Sequence, residues 1–321
     1  MRLPQPLLDA QCFTFGTVGE LLRALGNDVS PDELREVERL ASLGLPPVAS
    51  QHVLAAIFGI NPGLIWSFRH RTARHYRSFT IPKGRSQRRI DAPRVALKVI
   101  QSWLGTQLLR AYKPPSHVFG FVPTRSHVAA AVQQCEARWV LSLDIRDFFQ
   151  STPQHLVARS LVALGFGQKG AELIASISCL RGNLAQGSPA SPVLSNIAMR
   201  ALDELLAKEA ETAGARLTRY ADDTVLSGIT AYPQGLLDRV TALVARTPWQ
   251  LAADKTHLAE VPQRLKVHGL LVHGPRARLT KGYRNKLRAY EHLLEADRVR
   301  IDDVARVKGH LSYASFVDRV T

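Results

Sequence analysis

Apolar residues recur at helical spacing over much of the chain. Residues 94–112 carry them mostly three or four positions apart, which predicts an amphipathic helix. Ser30 followed by Pro31 is typical of a helix start, because Ser caps free N–H groups and Pro is tolerated in the first turn. Comparable patterns predict short helices within 1–60 and further helices over 127–137, 153–164, 171–180, 193–213, 234–246, 281–295 and 301–318.

Shorter strand-like runs separate these helices. The apolar run Trp139–Leu143 predicts a strand that leads directly into Asp144. The runs 215–220 and 224–229 predict a hairpin with two adjacent carboxylates at its tip. A further strand is expected over 264–272. Two predicted strands therefore bring acidic residues to their ends.

Basic residues outnumber acidic ones and are clustered. The 321 residues include 42 Lys and Arg against 27 Asp and Glu, a formal net charge of +15, and are long enough for two or three cooperating subdomains. Many basic residues fall between Arg69 and Arg94, where 76–93 predicts two strands around a basic turn at Gly84–Gln87, and others lie between Arg276 and Arg288. A generally basic protein is the alternative, but clustering favours a nucleic-acid partner.

Cysteine usage and hydropathy narrow the class of protein. Cys12, Cys135 and Cys179 lack metal-ligand spacing, which argues against a zinc site or a disulfide framework and favours a reducing cytoplasm. No apolar run reaches membrane-spanning length, and the N-terminus has no apolar signal-peptide core. We therefore expect a cytoplasmic location and no membrane partner.

Three carboxylates are of the type that phosphoryl transfer uses. That reaction needs mainly positioning and charge neutralisation, and two Mg²⁺ ions about 3.5–4 Å apart can stabilise both the attacking and the leaving oxygen. Taken singly, Asp222 and Asp223 are ordinary turn residues and Asp144 could cap a helix. Their occurrence together with the motif Gln186–Pro192 (Gln-Gly-Ser-Pro-Ala-Ser-Pro) favours a catalytic site.

These motifs resemble those of reverse transcriptases, and more closely those of the bacterial retron type. The shared features are the strand ending at Asp144, the Gln186–Pro192 loop and the Tyr220–Asp223 hairpin. The resemblance implies an α+β fold, a right-hand polymerase with fingers, a palm made of an antiparallel sheet plus helices, and a helical thumb. The implied domains are a helical extension (1–60), fingers interleaved with palm (61–138), palm (139–233), and palm end with thumb (234–321).

The N-terminal extension leaves two interpretations open. It could be a docking or RNA-contacting segment, or a helical cover over the core of the fingers.

The resemblance also implies metal ligands. Asp144, Asp222 and Asp223 would be catalytic, and together with Ile145 they would hold two Mg²⁺ ions, with deoxynucleoside triphosphates as substrates. Mg²⁺ prefers hard oxygen ligands and takes one or two carboxylates plus substrate phosphates.

A nucleotide pocket is implied by the same comparison. Lys83 and Arg88 would grip the triphosphate, and Phe149 would collide with a ribose 2′-OH. Gln186 would contact the incoming nucleotide, and Gly187 would allow close approach of the backbone. The full implied set is Lys83, Arg88, Phe149, Gln186, Gly187 and Tyr220.

A basic helix after the palm is similar to a thumb helix that grips duplex phosphates, although a solvated charged face is the plain alternative. The implied nucleic-acid contacts are Arg276, Arg278, Lys281, Arg284, Lys286 and Arg288.

The retron type implies particular partners. The enzyme would copy part of a cognate structured non-coding RNA into 2′,5′-linked multicopy single-stranded DNA, in antiphage defence, with any effector on a separate chain. Two retron motifs are altered here, at Ala130–Gln134 and at Val267–Gly269, where the family has Asn-Ala-x-x-His and Val-Thr-Gly. The RNA, the effector and the oligomeric state stay open.

Three alternatives remain. The chain could be a reverse transcriptase of another lineage, group II intron-like or diversity-generating. It could be a catalytically silent RNA-binding scaffold, although three clustered carboxylates have no purpose there. A metal-dependent nuclease would need the carboxylates but would not explain Gln186, Gly187, Lys83 and Arg88.

Overall fold

The computed structural model describes residues 4–84 and 86–321, except for the side chains of Lys83 and Ser86. The chain divides into two compact units. The first contains the chain up to Pro115, Asp147–Ala201 and Pro248–Gln250. The second contains Ser116–Arg146, Leu202–Thr247 and Leu251–Thr321. The division into extension, fingers, palm and thumb stays a prediction.

Helices and strands alternate irregularly along the chain. The helices are α1 (Gln5–Asp9), α2 (Val18–Leu25), α3 (Pro31–Ser42), α4 (Gln51–Phe58), α5 (Pro62–His70), α6 (Val95–Ala111), α7 (His127–Val132), α8 (Gln154–Leu164), α9 (Gln168–Ser178), α10 (Ser191–Thr212), α11 (Leu236–Ala245), α12 (Lys281–Glu295) and α13 (Ile301–Val320). The strands are β1 (Tyr76–Lys83), β2 (Ser86–Pro93), β3 (Trp139–Asp144), β4 (Cys179–Leu180), β5 (Asn183–Leu184), β6 (Arg216–Tyr220), β7 (Asp223–Gly228), β8 (His257–Glu260), β9 (Lys266–Val267), β10 (Leu270–Leu271) and β11 (Arg278–Leu279).

Local capping explains where the N-terminal helices begin. The Ser30 side chain accepts from the Glu33 N–H, and the Glu33 carboxylate accepts from the Ser30 N–H, so α3 starts with a capping box and Pro31 in its first turn. Ser50 and Asn61 cap α4 and α5 in the same way through their side-chain oxygens. The predicted start of α3 is confirmed.

The core of the first unit joins the N-terminal helices to later ones. Leu21, Leu40 and Leu54 are fully buried in the same apolar cluster as Leu104 of α6. The buried Trp103 indole donates to the Ala10 carbonyl at 2.8 Å. This shared core supports the interpretation of residues 1–60 as a helical cover.

A four-stranded antiparallel sheet organises the second unit, in the order β6-β7-β3-β8. β3 lies inside the sheet, between β7 and β8, and its apolar run Trp139–Leu143 is almost entirely buried. Val140 and Val225 share a core with Leu265, Leu270 and other residues of the second unit. The mixed helices and antiparallel sheets confirm the predicted α+β class.

Two predicted elements are wrong in extent. The strand expected over 264–272 is a tight hairpin of β9 and β10, because His268 and Gly269 adopt φ values of 48° and 85° that reverse the chain. The helix expected over 127–137 ends at Val132. Within the described ranges, no helix is both long and apolar enough to span a membrane.

Candidate active site

Sheet hydrogen bonding brings the three aspartates of the second unit together. Asp144 is the last residue of β3 and lies opposite Asp223, the first residue of β7. The Ile145 N–H donates to the Asp222 carbonyl at 3.1 Å. Asp222 therefore sits in the hairpin tip directly beside the end of β3, in the arrangement that the two sequence motifs predict.

The carboxylates influence one another electrostatically. Burial raises the pKa of Asp222, and the nearby Asp144 and Asp223 carboxylates raise it further. The Lys255 ammonium acts in the opposite direction and lies 2.6 Å from Asp144 Oδ1. The turn that carries Lys255 is joined to β3 by a 2.8 Å bond from the Ala252 N–H to the Asp144 carbonyl. Sequence reasoning gave Lys255 no role.

The donor set fits Mg²⁺. Among the described residues, no group of three or more His, Cys, Asp or Glu side chains is placed to hold a metal ion. Mg²⁺ needs fewer protein side chains than that, since it takes one or two carboxylates and completes its coordination shell with water and substrate phosphates. Burial and the neighbouring carboxylates raise the pKa of Asp222, and the Lys255 ammonium lies 2.6 Å from Asp144 Oδ1. Both features favour a positive charge at this end of the sheet.

A buried ion pair holds the hairpin tip. Arg219 is fully buried, and its Nε and Nη2 donate to the two carboxylate oxygens of Asp203, each at 2.6 Å. Its Nη1 also donates to the Ala221 carbonyl at 2.9 Å. Ala221 has a φ of 60°, a conformation that a non-glycine residue keeps only where its surroundings enforce it. Arg219 thus links the tip to α10.

The Phe119–Phe121 loop packs on the same tip. The Arg219 N–H donates to the His117 carbonyl at 2.8 Å, and the Phe119 N–H donates to the Arg219 carbonyl at 2.7 Å. A Cβ on Gly120 would lie 2.2 Å from the Ala221 nitrogen. Only glycine fits this contact, which gives the loop a structural reason for its Gly.

His268 contacts the third aspartate. Its Nδ1 lies 3.1 Å from Asp223 Oδ2, and its side chain is only 7% exposed. Its Nε2 is buried and has no partner in the described part of the chain. Nδ1 is therefore the ring nitrogen that faces the Asp223 carboxylate, and an N–H at that position would donate to it. The Tyr220 ring lies 5.5 Å from His268.

The altered retron motifs both contact the hairpin β6–β7. Gln134, where the family has His, is fully buried. Its side-chain Nε2 donates to the Thr218 hydroxyl of β6 at 2.9 Å, and its side-chain Oε1 accepts from the Ser227 hydroxyl of β7. His268 replaces the family's Thr and contacts Asp223. Both departures therefore have internal partners in the second unit.

Two of the predicted nucleotide-pocket residues, Gln186 and Gly187, lie against β2 within the first unit. The Gln186 carbonyl accepts from the Asp91 N–H at 2.8 Å, and its side-chain oxygen accepts from Gln150 at 2.6 Å. Gly187 has a φ of 132°, and a Cβ there would lie 2.8 Å from the Asp91 carbonyl oxygen. The backbone that approaches Gly187 is thus that of β2.

The remaining predicted pocket residues are placed separately. Arg88 is exposed on β2 opposite Ile81. Phe149 is partly buried and packs against the core of the first unit. The Lys83 side chain lies outside the described residues. Tyr220 belongs to the second unit with the aspartates.

The six predicted thumb contacts line one exposed stretch of the second unit. Arg276 and Arg278 precede α12, which starts at Lys281 with Thr280 as its N-cap. All six side chains are exposed, and none of them makes an ion pair with another described residue. Lys286 Nζ lies 5.2 Å from the centre of the Tyr290 ring.

The sequence comparison assigns the chain to a family. Residues 81–273, more than half of the chain, match the model of the family "Reverse transcriptase (RNA-dependent DNA polymerase)". The chain therefore belongs to the reverse transcriptases, with their right-hand polymerase fold and RNA-directed DNA polymerase activity.

Curated relatives narrow the type to the retron enzymes. The chain is 32% identical to the Retron Mx65 reverse transcriptase of Myxococcus xanthus, over 88% of this chain and 70% of that protein. It is 31% identical to the Retron Mx162 reverse transcriptase of the same organism, over 79% of this chain and 61% of that protein. A solved telomerase from Candida albicans, in complex with a telomeric RNA fragment, aligns with a TM-score of 0.45 and 12% identity over 71% of this chain and 52% of that one.

Proposed function

We propose that this reverse transcriptase copies part of a cognate structured RNA into DNA by two-metal nucleotidyl transfer. The observation that supports it most is the position of Asp144 opposite Asp223 in the sheet, with Asp222 in the adjoining tip. When bound, two Mg²⁺ ions would stabilise the attacking and leaving oxygens. Asp144 and Asp222 would hold them, and Asp223 would complete the acidic cluster, with the Ile145 main chain beside it.

The surrounding residues would position substrate and catalytic groups. Lys255 neutralises part of the Asp144 charge, and Arg219 holds the hairpin tip in its left-handed conformation. Lys83 and Arg88 would bind the triphosphate, since an ammonium and a guanidinium both suit phosphate oxygens. Phe149 would exclude the ribose 2′-OH and thereby select deoxynucleotides.

Nucleic-acid binding would come from the exposed basic stretch around α12. Each phosphate neutralised by a Lys or Arg releases counterions and adds affinity that is independent of sequence and sensitive to salt. The net charge of +15 agrees with such a partner.

The finer retron features belong to the same proposal. They are a 2′,5′-linked RNA–DNA product, a role in antiphage defence in the cytoplasm, and a separate effector protein. Their support is the similarity to retron enzymes, together with the intact Gln186–Pro192 loop and Tyr220–Asp223 hairpin.

One purification tests the proposal. The protein is isolated from a host that carries its native flanking DNA, and the bound nucleic acid is treated with RNase, DNase and debranching enzyme. We expect a DNA strand joined to RNA through a debranchase-sensitive bond. RNA without attached DNA, from a protein that still extends an added primer with deoxynucleotides, would refute the retron product and place the enzyme in another lineage.

A further inference from the structure

A groove of about 680 Å³, lined by both polar and apolar residues, lies in the first unit. Its walls come from one face of α8, one face of α9 and the end of α5. Along α8 the lining extends from Gln154 to Val162, a length of about 12 Å at about 1.5 Å per residue. The predicted nucleotide-pocket and thumb residues are not among those that line it.

The groove carries cationic groups that lack partners. Arg69 Nε is buried and makes no hydrogen bond within the described residues. Arg159 is exposed, and in the described part of the chain it forms no ion pair. The acidic lining residue, Glu172, already accepts a 2.6 Å hydrogen bond from the Gln168 amide. The groove therefore presents two guanidinium groups that form no ion pair among the described residues, beside the single carboxylate of Glu172.

A buried guanidinium nitrogen without an acceptor is costly, and an anionic oxygen would satisfy it. The planar fork of Arg suits phosphate and carboxylate groups, because it can donate two parallel N–H bonds to their oxygens. Gln154, which also lines the groove, adds a neutral amide donor on the same wall. The chemistry of the groove is that of a phosphate subsite.

We propose that this groove binds a phosphate group of the RNA backbone and so extends the nucleic-acid interface to the first unit. The phosphate chemistry follows from the groove itself. The RNA as its source rests on the proposed function, and a free phosphate or nucleotide would offer the same oxygens. The test separates these two sources.

The first arm measures binding of a fluorescein-labelled RNA hairpin with a single-stranded tail, by anisotropy, between about 50 and 200 mM salt. Arg159→Gln is the main variant, because its side chain is exposed and its loss leaves no buried charge unpaired. Arg23→Gln on α2 is the matched control, an exposed Arg of the same unit that does not line the groove. Arg69→Lys keeps the charge and removes the fork, and thermal unfolding checks that each variant folds.

We expect Arg159→Gln to bind the RNA about fivefold more weakly than the wild type. The slope of log K against log salt should become shallower by about 0.7–0.9, the value for one lost phosphate contact. Arg69→Lys should weaken binding without changing that slope, and Arg23→Gln should match the wild type. If Arg159→Gln also matches the wild type in affinity and slope, the proposal is wrong.

The second arm adds inorganic phosphate to the protein without RNA. One outcome would overturn RNA as the source of the phosphate and leave a site for free phosphate. In that outcome, phosphate stabilises the wild type but not Arg159→Gln against heat, and the salt dependence of RNA binding is the same in both proteins. Binding is measured directly in both arms, so the result does not depend on whether the enzyme makes 2′,5′-linked DNA.

Discussion

Two antiparallel hairpins in this molecule have different surroundings. The hairpin β6–β7 lies in a four-stranded sheet, and residues such as Thr218, Val225 and Ser227 on its strands are buried. The hairpin β1–β2 forms a two-stranded sheet by itself, with Phe79 and Ile81 each 39% exposed. A two-stranded hairpin has little stability of its own, so it depends on contacts with the rest of its unit.

The described contacts of the two hairpins differ in position. The tip of β6–β7 is held by Arg219, by the Gly120 loop and by His268. The described contacts of β1–β2 lie near its base, where Asp91 is buried, receives bonds from Ser78 and Arg89, and donates to Gln186. The proposed catalytic carboxylates would need a preorganised geometry, whereas the proposed triphosphate-binding hairpin would need exposed side chains.

The largest expected effect comes from removing a carboxylate at the rigid tip. Asp222→Asn should abolish DNA synthesis, because the amide cannot supply the charge that a divalent ion needs, while RNA binding persists. Primer extension and RNA anisotropy on the same preparation measure both. Full synthesis in Asp222→Asn would show that the hairpin tip is not the catalytic site.

The buried pair that holds this tip provides the next test. Arg219→Met or Asp203→Leu alone should lower the free energy of unfolding by about 3–5 kcal/mol, because each leaves a buried charge unpaired. The double variant should recover much of that loss in stability, yet its DNA synthesis should remain low, because the donor to the Ala221 carbonyl is missing.

Urea unfolding and primer extension measure the two effects independently. A double variant with normal synthesis would mean that the ion pair serves stability alone and does not position the tip.

The contact of His268 with Asp223 should have a smaller effect. A hydrogen bond to a charged group contributes about 1.5–3 kcal/mol, and the half-exposed Asp223 lies at the low end, so His268→Ala should lose about tenfold in kcat. His268→Asn should restore most of it, because Asn tolerates a positive φ and presents an N–H near the position of Nδ1.

The Mg²⁺ concentration for half-maximal synthesis is the second readout and should rise in His268→Ala alone. If stability falls while the Mg²⁺ dependence and kcat stay unchanged, the contact is structural only.

The smallest expected effect lies on the exposed hairpin. Arg88→Gln should raise the KM for deoxynucleotides by a few fold and leave kcat nearly unchanged, because an exposed phosphate contact contributes mainly to ground-state binding. Arg89→Gln is the matched control, since the neighbouring Arg89 pairs with Asp91. Steady-state kinetics should place the KM change on Arg88 alone, and equal changes in both variants would remove Arg88 from the triphosphate site.

Local chemistry in the sequence determined much of the fold and the centre of the site. The capping box at Ser30, the buried strand Trp139–Asp144 and the hairpin around Ala221 and Asp222 all depend on neighbouring residues, so their patterns are visible without tertiary information. The class of chemistry followed from acidic residues at the ends of two predicted strands.

The tertiary structure decided which distant residues support that centre. Asp203 meets Arg219, Lys255 meets Asp144, and His268 meets Asp223 across 16, 111 and 45 positions, respectively. The turn at His268 was not predicted from the sequence, because its φ of 48° is uncommon for His. The close contact between Gly187 and the backbone of Asp91 was not predicted either, because no local sequence pattern indicates it. Helical periodicity and turn chemistry are short-range properties, whereas charge pairing and close backbone approach depend on how the chain packs in three dimensions.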